Sequence, residues 1–312
     1  MTRSYFKYPA AEERAVRSTS WTQWLIEIRI HHWVKNSLVF VPLALSPQLL
    51  SLESVIHCAL GFLALSIACS GSYLLNDFFD CEADQLHWSK CTRPVASGRI
   101  SISQALAAAA GLCTIGLLLA AALNGVFAAL LVGYLLMSLA YSYYLKTLAL
   151  LDLAVLATMY ALRVAMGSAL IGVVFSPWLL MFVFLLFGGL ATGKRTAELV
   201  KRTQRHDLSD NRRGYEEEDL PLLIAVGISF SIGALIVLSV FLSTVAVPEA
   251  MFRSPQRLWL AVPLLLVWTL RFWVLSVRGS MADDPILFSM TDRISLFIGV
   301  LLGLSVLSIH LP

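Results

Sequence analysis

Long apolar runs, rather than any alternation of apolar and polar residues, carry the structural signal in this chain. A helix crosses the hydrocarbon core in about 20 apolar residues. On that basis the runs predict nine membrane-spanning helices, near 33–50, 54–75, 103–123, 126–145, 148–172, 177–193, 220–247, 258–277 and 293–311. The first run is short and is interrupted by Lys35, Asn36 and Pro42. Before it, the chain is polar and lacks the central apolar stretch of a secretory signal. Trp21, Trp24 and Trp33 suit a segment that lies at the interface before the chain enters the bilayer. The expectation is an all-α protein, with an interfacial segment over 1–30 and a transmembrane domain over 31–312.

The polar intervals are as informative as the apolar ones. Two long loops, around 77–99 and 194–219, are separated by four spans and so open on the same side. Of the 23 Lys and Arg residues, all but Arg163, Arg253 and Arg257 fall on that side. Positive loops stay in the cytoplasm. This predicts an inner (plasma) membrane protein with a cytoplasmic N-terminus and working loops, and, with nine crossings, an external C-terminus.

Composition then closes off other classes. The chain of 312 residues is 58% hydrophobic and 14% charged, with a mean hydropathy of +0.76. A soluble domain carries about 25% charged residues, so a soluble enzyme and a disordered chain are excluded. A net charge of +3 is too small to imply a nucleic-acid partner. Five cysteines without a Cys-x-x-Cys pair do not make a disulfide framework.

Candidate chemistry begins where the second span ends, at Asn76-Asp77-Phe-Phe-Asp80-Cys-Glu-Ala-Asp84. At about 100° per residue, Asp77, Asp80 and Asp84 share a helix arc of about 60°, and Asn76 widens it to about 100°. Stacked carboxylates repel unless a cation lies among them. Hard oxygen donors favour Mg²⁺, which takes one or two carboxylates and completes its shell with water and phosphate oxygens. Lys90, Arg93 and Arg99 follow at once. At the end of the sixth span, Lys194, Glu198, Lys201, Arg202 and Arg205 share about 100° of helix face, with Arg195 at its margin. Such a face is suited to anions.

Asn76-Asp77-x-x-Asp80-x-x-x-Asp84, followed by Arg93-Pro94-x-x-x-Gly98-x-x-Ser101, resembles the first signature of the UbiA superfamily of intramembrane prenyltransferases. The resemblance implies a nine-helix bundle and Mg²⁺ on Asp77, Asp80 and Asp84. The usual second motif of that superfamily is an aspartate pair. Here the matching place reads Gly193-Lys194-Arg195-Thr-Ala-Glu198-Leu199. That variant resembles the branch of polyprenyl-phosphate phosphoribosyltransferases. So do the opening Arg29-x-x-His-Trp33-Val-Lys35-Asn36 and the fifth-span residues Asp152 and Arg163. Departures from the branch fall at His87-Trp88 and Asp283-Asp284-Pro285-Ile286.

The branch implies Mg²⁺-dependent transfer of 5-phosphoribose from phosphoribosyl diphosphate to a polyprenyl (decaprenyl-type) phosphate, releasing diphosphate, for cell-wall synthesis. Asp77, Asp80, Lys194 and Arg195 would be catalytic. Lys35, Asn36, Asn76, Lys90, Arg93, Tyr141, Asp152, Glu198 and Lys201 would bind substrates. The alternative is an ordinary transfer of a prenyl group from a prenyl diphosphate to an aromatic or other acceptor. Tyr141 also fits an aromatic belt, and Arg163 fits either a structural ion pair or a lipid-phosphate contact. A homo-oligomer is left open.

Overall fold

Thirty-five residues without a proline, Leu52–Leu86, form one continuous helix. The rest of the chain folds around it. The computed structural model describes residues 21–46, 49–86, 90–205, 214–246, 254–281, 288–289 and 291–308, and no strand occurs among them. The segment 1–20, His87-Trp88 and Asp283–Ile286, named above, lie outside the described residues, as does 206–213 of the second long loop.

In chain order the helices are α1 (Trp21–Glu27), α2 (Val41–Ala44), α3 (Leu52–Leu86), α4 (Ile102–Leu123), α5 (Gly125–Tyr143) and α6 (Leu151–Leu170). They continue with α7 (Pro177–Arg205), α8 (Leu220–Phe241), α9 (Ala261–Val277) and α10 (Arg293–Ser308). A 3-10 segment, Ile30–Phe40, joins α1 to α2. Helix α3 packs on α4 and α5, α6 on α5 and α7, α7 on α8 and α9, and α10 on α9. Short turns make these neighbours antiparallel. Asn124, for example, ends α4 and caps α5, accepting hydrogen bonds from the Val126 and Phe127 amides.

Seven helices, α3 to α9 with the turns flanking α8 and α9, are long and apolar enough to cross a membrane. The expected ninth span is the shorter apolar helix α10. The expected first span, 33–50, differs from the prediction and is not a single helix. Ile30–Phe40 has 3-10 geometry, and α2 is one turn with Pro42 at its start. The reason lies in its contacts. Asn36 is buried, donating to Ser66 Oγ of α3 at 3.0 Å and accepting from Arg163 Nε of α6 at 3.0 Å. Farther along, the Val39 carbonyl presses against α6 at Gly167, where an added Cβ would lie 2.1 Å from that oxygen. Polar anchors and backbone contact, not an apolar stripe, hold this segment.

Helix length also places the acidic motif. At 1.5 Å per residue α3 is about 50 Å long, against a hydrocarbon core of about 30 Å. Part of it must project beyond the core, and its last three turns carry Asn76, Asp77, Asp80 and Asp84. Helix α7 likewise continues past the expected end at 193, so that Lys194 to Lys201 stay helical.

The Gly167 contact sets a test. Gly167→Ala should destabilise the protein by about 1–3 kcal/mol, the usual range for overpacking a tight contact. Gly133→Ala, where an added Cβ meets nothing within 4 Å, should not. Thermal unfolding of the two purified variants in one detergent measures the difference.

Candidate active site

Carboxylates near the C-terminal end of a helix stand against the negative end of its macrodipole, and the last turn of α3 holds no basic residue. Compensation comes from elsewhere in the chain. Arg29 Nη2 donates to Asp77 Oδ1 at 2.5 Å, and Arg93 Nη1 donates to the same oxygen at 3.0 Å. Arg93 also reaches Asp84 Oδ2 at 2.6 Å. Lys146, just past α5, donates to Asp80 Oδ1 at 2.5 Å, and Asn76 Nδ2 donates to Asp80 Oδ2 at 3.2 Å. Arg29 reaches the site because its backbone turns into the left-handed region, φ 53°, between α1 and the 3-10 segment.

The N-terminal helix adds a further carboxylate. Glu27 is 2% exposed and lies beside Asp77. Burial, then the Asp77 charge, push its carboxyl up to about 7.

A second polar cluster is built on α5, α6 and α7. Arg195 is 4% exposed. It donates to Asp152 Oδ2 at 3.0 Å, to Glu198 Oε2 at 2.8 Å and to Tyr141 Oη at 3.2 Å. Asp152 is fully buried and also accepts from the Tyr215 hydroxyl. Tyr215 is placed by Gly214, whose φ of 62° favours glycine and whose missing Cβ leaves room for the Thr147 carbonyl. Burial, and the hydrogen bond donated to Asp152, push the Tyr215 phenol above its ordinary range. Lys194 Nζ stands 3.9 Å from Glu198, and Lys201 Nζ donates to the Met281 carbonyl at 2.6 Å.

The two clusters lie at the same end of the bundle. The C-terminal ends of α3, α5 and α7 and the N-terminal end of α6 meet there, tied by Asp80–Lys146 and by Tyr141–Arg195–Asp152. An apolar groove of about 560 Å³ runs between the 3-10 segment and helices α7, α9 and α10, with Lys35, Leu186, Leu190, Trp268 and Ile298 in its wall.

A profile of the UbiA prenyltransferase family matches residues 37–301. The chain belongs to the UbiA prenyltransferase family. It is an integral membrane protein of that family. It is 37% identical over 280 residues to an uncharacterized protein, y4nM, of Sinorhizobium fredii, covering 90% of this chain and 54% of that one. It is 29% identical over 291 residues to the nodulation protein NoeC of Azorhizobium caulinodans, covering 88% and 90%. It is 33% identical over 179 residues to the decaprenyl-phosphate phosphoribosyltransferase of Corynebacterium glutamicum, covering 55% and 53%. The chain thus spans about half the length of the first and third of these relatives. Its fold matches a UbiA homolog from Archaeoglobus fulgidus bound to GPP and Mg²⁺, with a TM-score of 0.67, 19% identity, and 91% and 97% of the two chains covered.

The sequence motifs of this UbiA family member do not converge as a preassembled metal cage. No group of three or more His, Cys, Asp or Glu among the described residues is placed to hold a metal. Asp77, Asp80 and Asp84 instead each engage a cationic side chain. The donors nevertheless suit Mg²⁺. Asp77 Oδ2 is buried without a hydrogen-bond donor, and Mg²⁺ needs only one or two carboxylates when phosphate oxygens complete its shell. Lys90 and Arg93 lie in the turn after the acidic helix, Arg93 holding two of its carboxylates.

Arg195 does not present a free guanidinium to the site, because Asp152, Glu198 and Tyr141 occupy it. Asn36 is buried with Arg163 and Ser66. Arg163 donates to Tyr134 Oη at 2.6 Å and to the Met159 carbonyl at 2.9 Å. It also stacks over the Tyr134 and Tyr160 rings. Among the site neighbours that motif spacing did not single out are Glu27, Lys146 and Tyr215; Arg29 opens the Arg29–Asn36 motif, but that spacing does not foretell its contact with Asp77. The one sequence signal for Glu27 is that it is the sole charged residue of α1.

Taking one partner from a buried charge pair strands the other. Arg195→Ala should therefore destabilise the protein by about 3–5 kcal/mol. Tyr215→Phe should cost about 1–3 kcal/mol, by leaving Asp152 short of a donor. Denaturant unfolding in detergent measures both, and wild-type stability in Arg195→Ala would show that the pair carries no structural load.

Proposed function

We propose that the chain transfers 5-phosphoribose from phosphoribosyl diphosphate to a polyprenyl phosphate, with Mg²⁺. The observation that carries this reading is the end of α7. Where a second aspartate pair would hold another metal, residues 194–205 bring five cations and one carboxylate, Glu198. Phosphoribosyl diphosphate carries a 5-phosphate as well as a diphosphate, so it calls for a second anion site that a prenyl diphosphate does not need. The likeness to decaprenyl-phosphate phosphoribosyltransferase over a little more than half of this chain supports the same donor.

In this reading Asp77, Asp80 and Asp84 hold Mg²⁺, which supplies charge neutralisation for the diphosphate leaving group. Arg93 and Lys146, already at these carboxylates, turn toward the phosphate oxygens of the donor, with Lys90 beside them. Lys194 and Lys201 take up the 5-phosphate. Arg195, locked by Asp152, Tyr141 and Glu198, orients the α7 end rather than moving with the substrate. The C1–O bond to diphosphate breaks with its electron pair leaving on oxygen, and an oxygen of the lipid phosphate forms the new bond to C1. A phosphate monoester is ionised at neutral pH, so no general base has to take a proton. The groove beside Lys35 suits the isoprenoid tail, and the Lys35 ammonium suits its phosphate.

The bundle end that bears these residues faces the cytoplasm in this reading, and nine crossings place the C-terminus outside. The Lys and Arg distribution supports both.

Two experiments test these points. Purified protein supplied with radiolabelled phosphoribosyl diphosphate and decaprenyl phosphate should yield labelled lipid. Asp77→Asn and Asp80→Asn, or a chelator, should abolish the product while the protein still inserts and purifies. Incorporation from geranyl diphosphate into an aromatic acid, with none from the ribose donor, would instead establish ordinary prenyl transfer. For sidedness, Glu218→Cys should react with an impermeant maleimide only from the cytoplasmic face, and labelling from outside would reverse the orientation.

A further inference from the structure

The acidic motif of α3 has a neighbour that does not belong to it. Glu27 ends α1, fifty positions before Asp77, and both side chains are 2% exposed. Helix α1 packs on α3 at this point, close enough for the Asp77 charge to act on the Glu27 carboxyl. Their pairing is lopsided. Both guanidinium contacts to Asp77, from Arg29 and Arg93, fall on Oδ1. Asp77 Oδ2 and Glu27 Oε1 are buried, and no hydrogen-bond donor among the described residues reaches either. A buried carboxylate oxygen without a donor is costly. Two on adjacent carboxyls are costlier, because each charge opposes the other. A cation between them relieves both costs, and a hard divalent ion accepts such a pair of oxygens while keeping positions for water and phosphate.

We propose that Glu27 is a further carboxylate ligand of the divalent-cation site, shared with Asp77 and supplied by the N-terminal helix. The assignment rests on the reading that the Asn76–Asp84 motif holds Mg²⁺, and it extends that site to a second element. It gives α1 a role beyond lying at the interface. Glu27 is the only charged residue of that helix, and cation binding would then fasten α1 to α3, bringing Arg29 with it.

The test uses Mn²⁺ as the probe, on the full chain in lipid nanodiscs, with inorganic diphosphate present to supply phosphate oxygens. Free Mn²⁺ is read by electron paramagnetic resonance, so neither a sugar donor nor turnover is involved. Glu27→Gln keeps the shape of the side chain and should weaken Mn²⁺ binding about tenfold or more, a loss that even an outer-shell partner can carry. Glu27→Asp keeps the charge on a shorter arm and should bind with intermediate affinity, which holds the test open if the amide variant does not fold. Glu53→Gln, an exposed carboxylate at the other end of α3, should bind as wild type. Wild-type affinity in Glu27→Gln, with loss in Asp77→Asn, overturns the proposal and leaves the motif alone as the cation site. Absence of Mn²⁺ binding by the wild type overturns the proposal and the metal reading together. The titration stands whichever donor the transfer assay selects.

Discussion

Everything at the working end of this bundle depends on balancing carboxylates that a helix places where its own dipole opposes them. Helix α3 cannot supply the balancing charge, since its last turn has no basic residue. The cations come from three other parts of the chain: Arg29 after α1, Arg93 in the turn before α4, and Lys146 between α5 and α6. Each is therefore drawn to the end of α3. The cations keep some exposure while Asp77 and Asp84 are buried, so much of the attraction goes into offsetting desolvation and the worth of these pairs lies in positioning.

The second constraint is the sealed pair of Arg195 and Asp152. Both side chains are almost wholly removed from water, and the attraction between them goes largely into offsetting that desolvation. What the pair fixes is geometry. Tyr141, Tyr215 and Glu198 complete the hydrogen bonds of the two ions, so α5, α6, α7 and the start of α8 are held in one arrangement. Lys194 and Lys201 project from a helix end that cannot rotate without breaking that set. Rigidity of this kind would serve the proposed transfer, in which a soluble anion and a lipid phosphate meet in fixed relation.

Between these clusters and the apolar groove runs the 3-10 segment. Lys35 lines the groove, while the next residue, Asn36, is buried against Arg163 and Ser66. The Arg163 charge is spread over neutral oxygens and two tyrosine rings. It thereby joins α5, α6 and the segment without a carboxylate partner among the contacts described.

Membrane class, the helical fold and seven of the spans were legible because hydropathy over about 20 residues is a local property. The acidic face of α3 was legible for the same reason, since Asp77, Asp80 and Asp84 lie on one helix and their spacing alone sets their common side. So was the helical continuation that carries Lys194 and Glu198. Only the tertiary structure decided who answers those charges. Arg29, Lys146, Glu27 and Tyr215 are tens of residues from their partners, and no periodicity connects them. Arg195 illustrates the limit well. Its sequence spacing put it at the margin of a basic, anion-facing stripe, yet packing turned it inward onto Asp152, because a buried carboxylate on α6 required a cation and α7 presented one. The broken first span has the same origin: apolar enough to suggest a crossing, it is held in 3-10 form by Asn36 and by the bare backbone of Gly167, contacts that exist only once α3 and α6 have assembled.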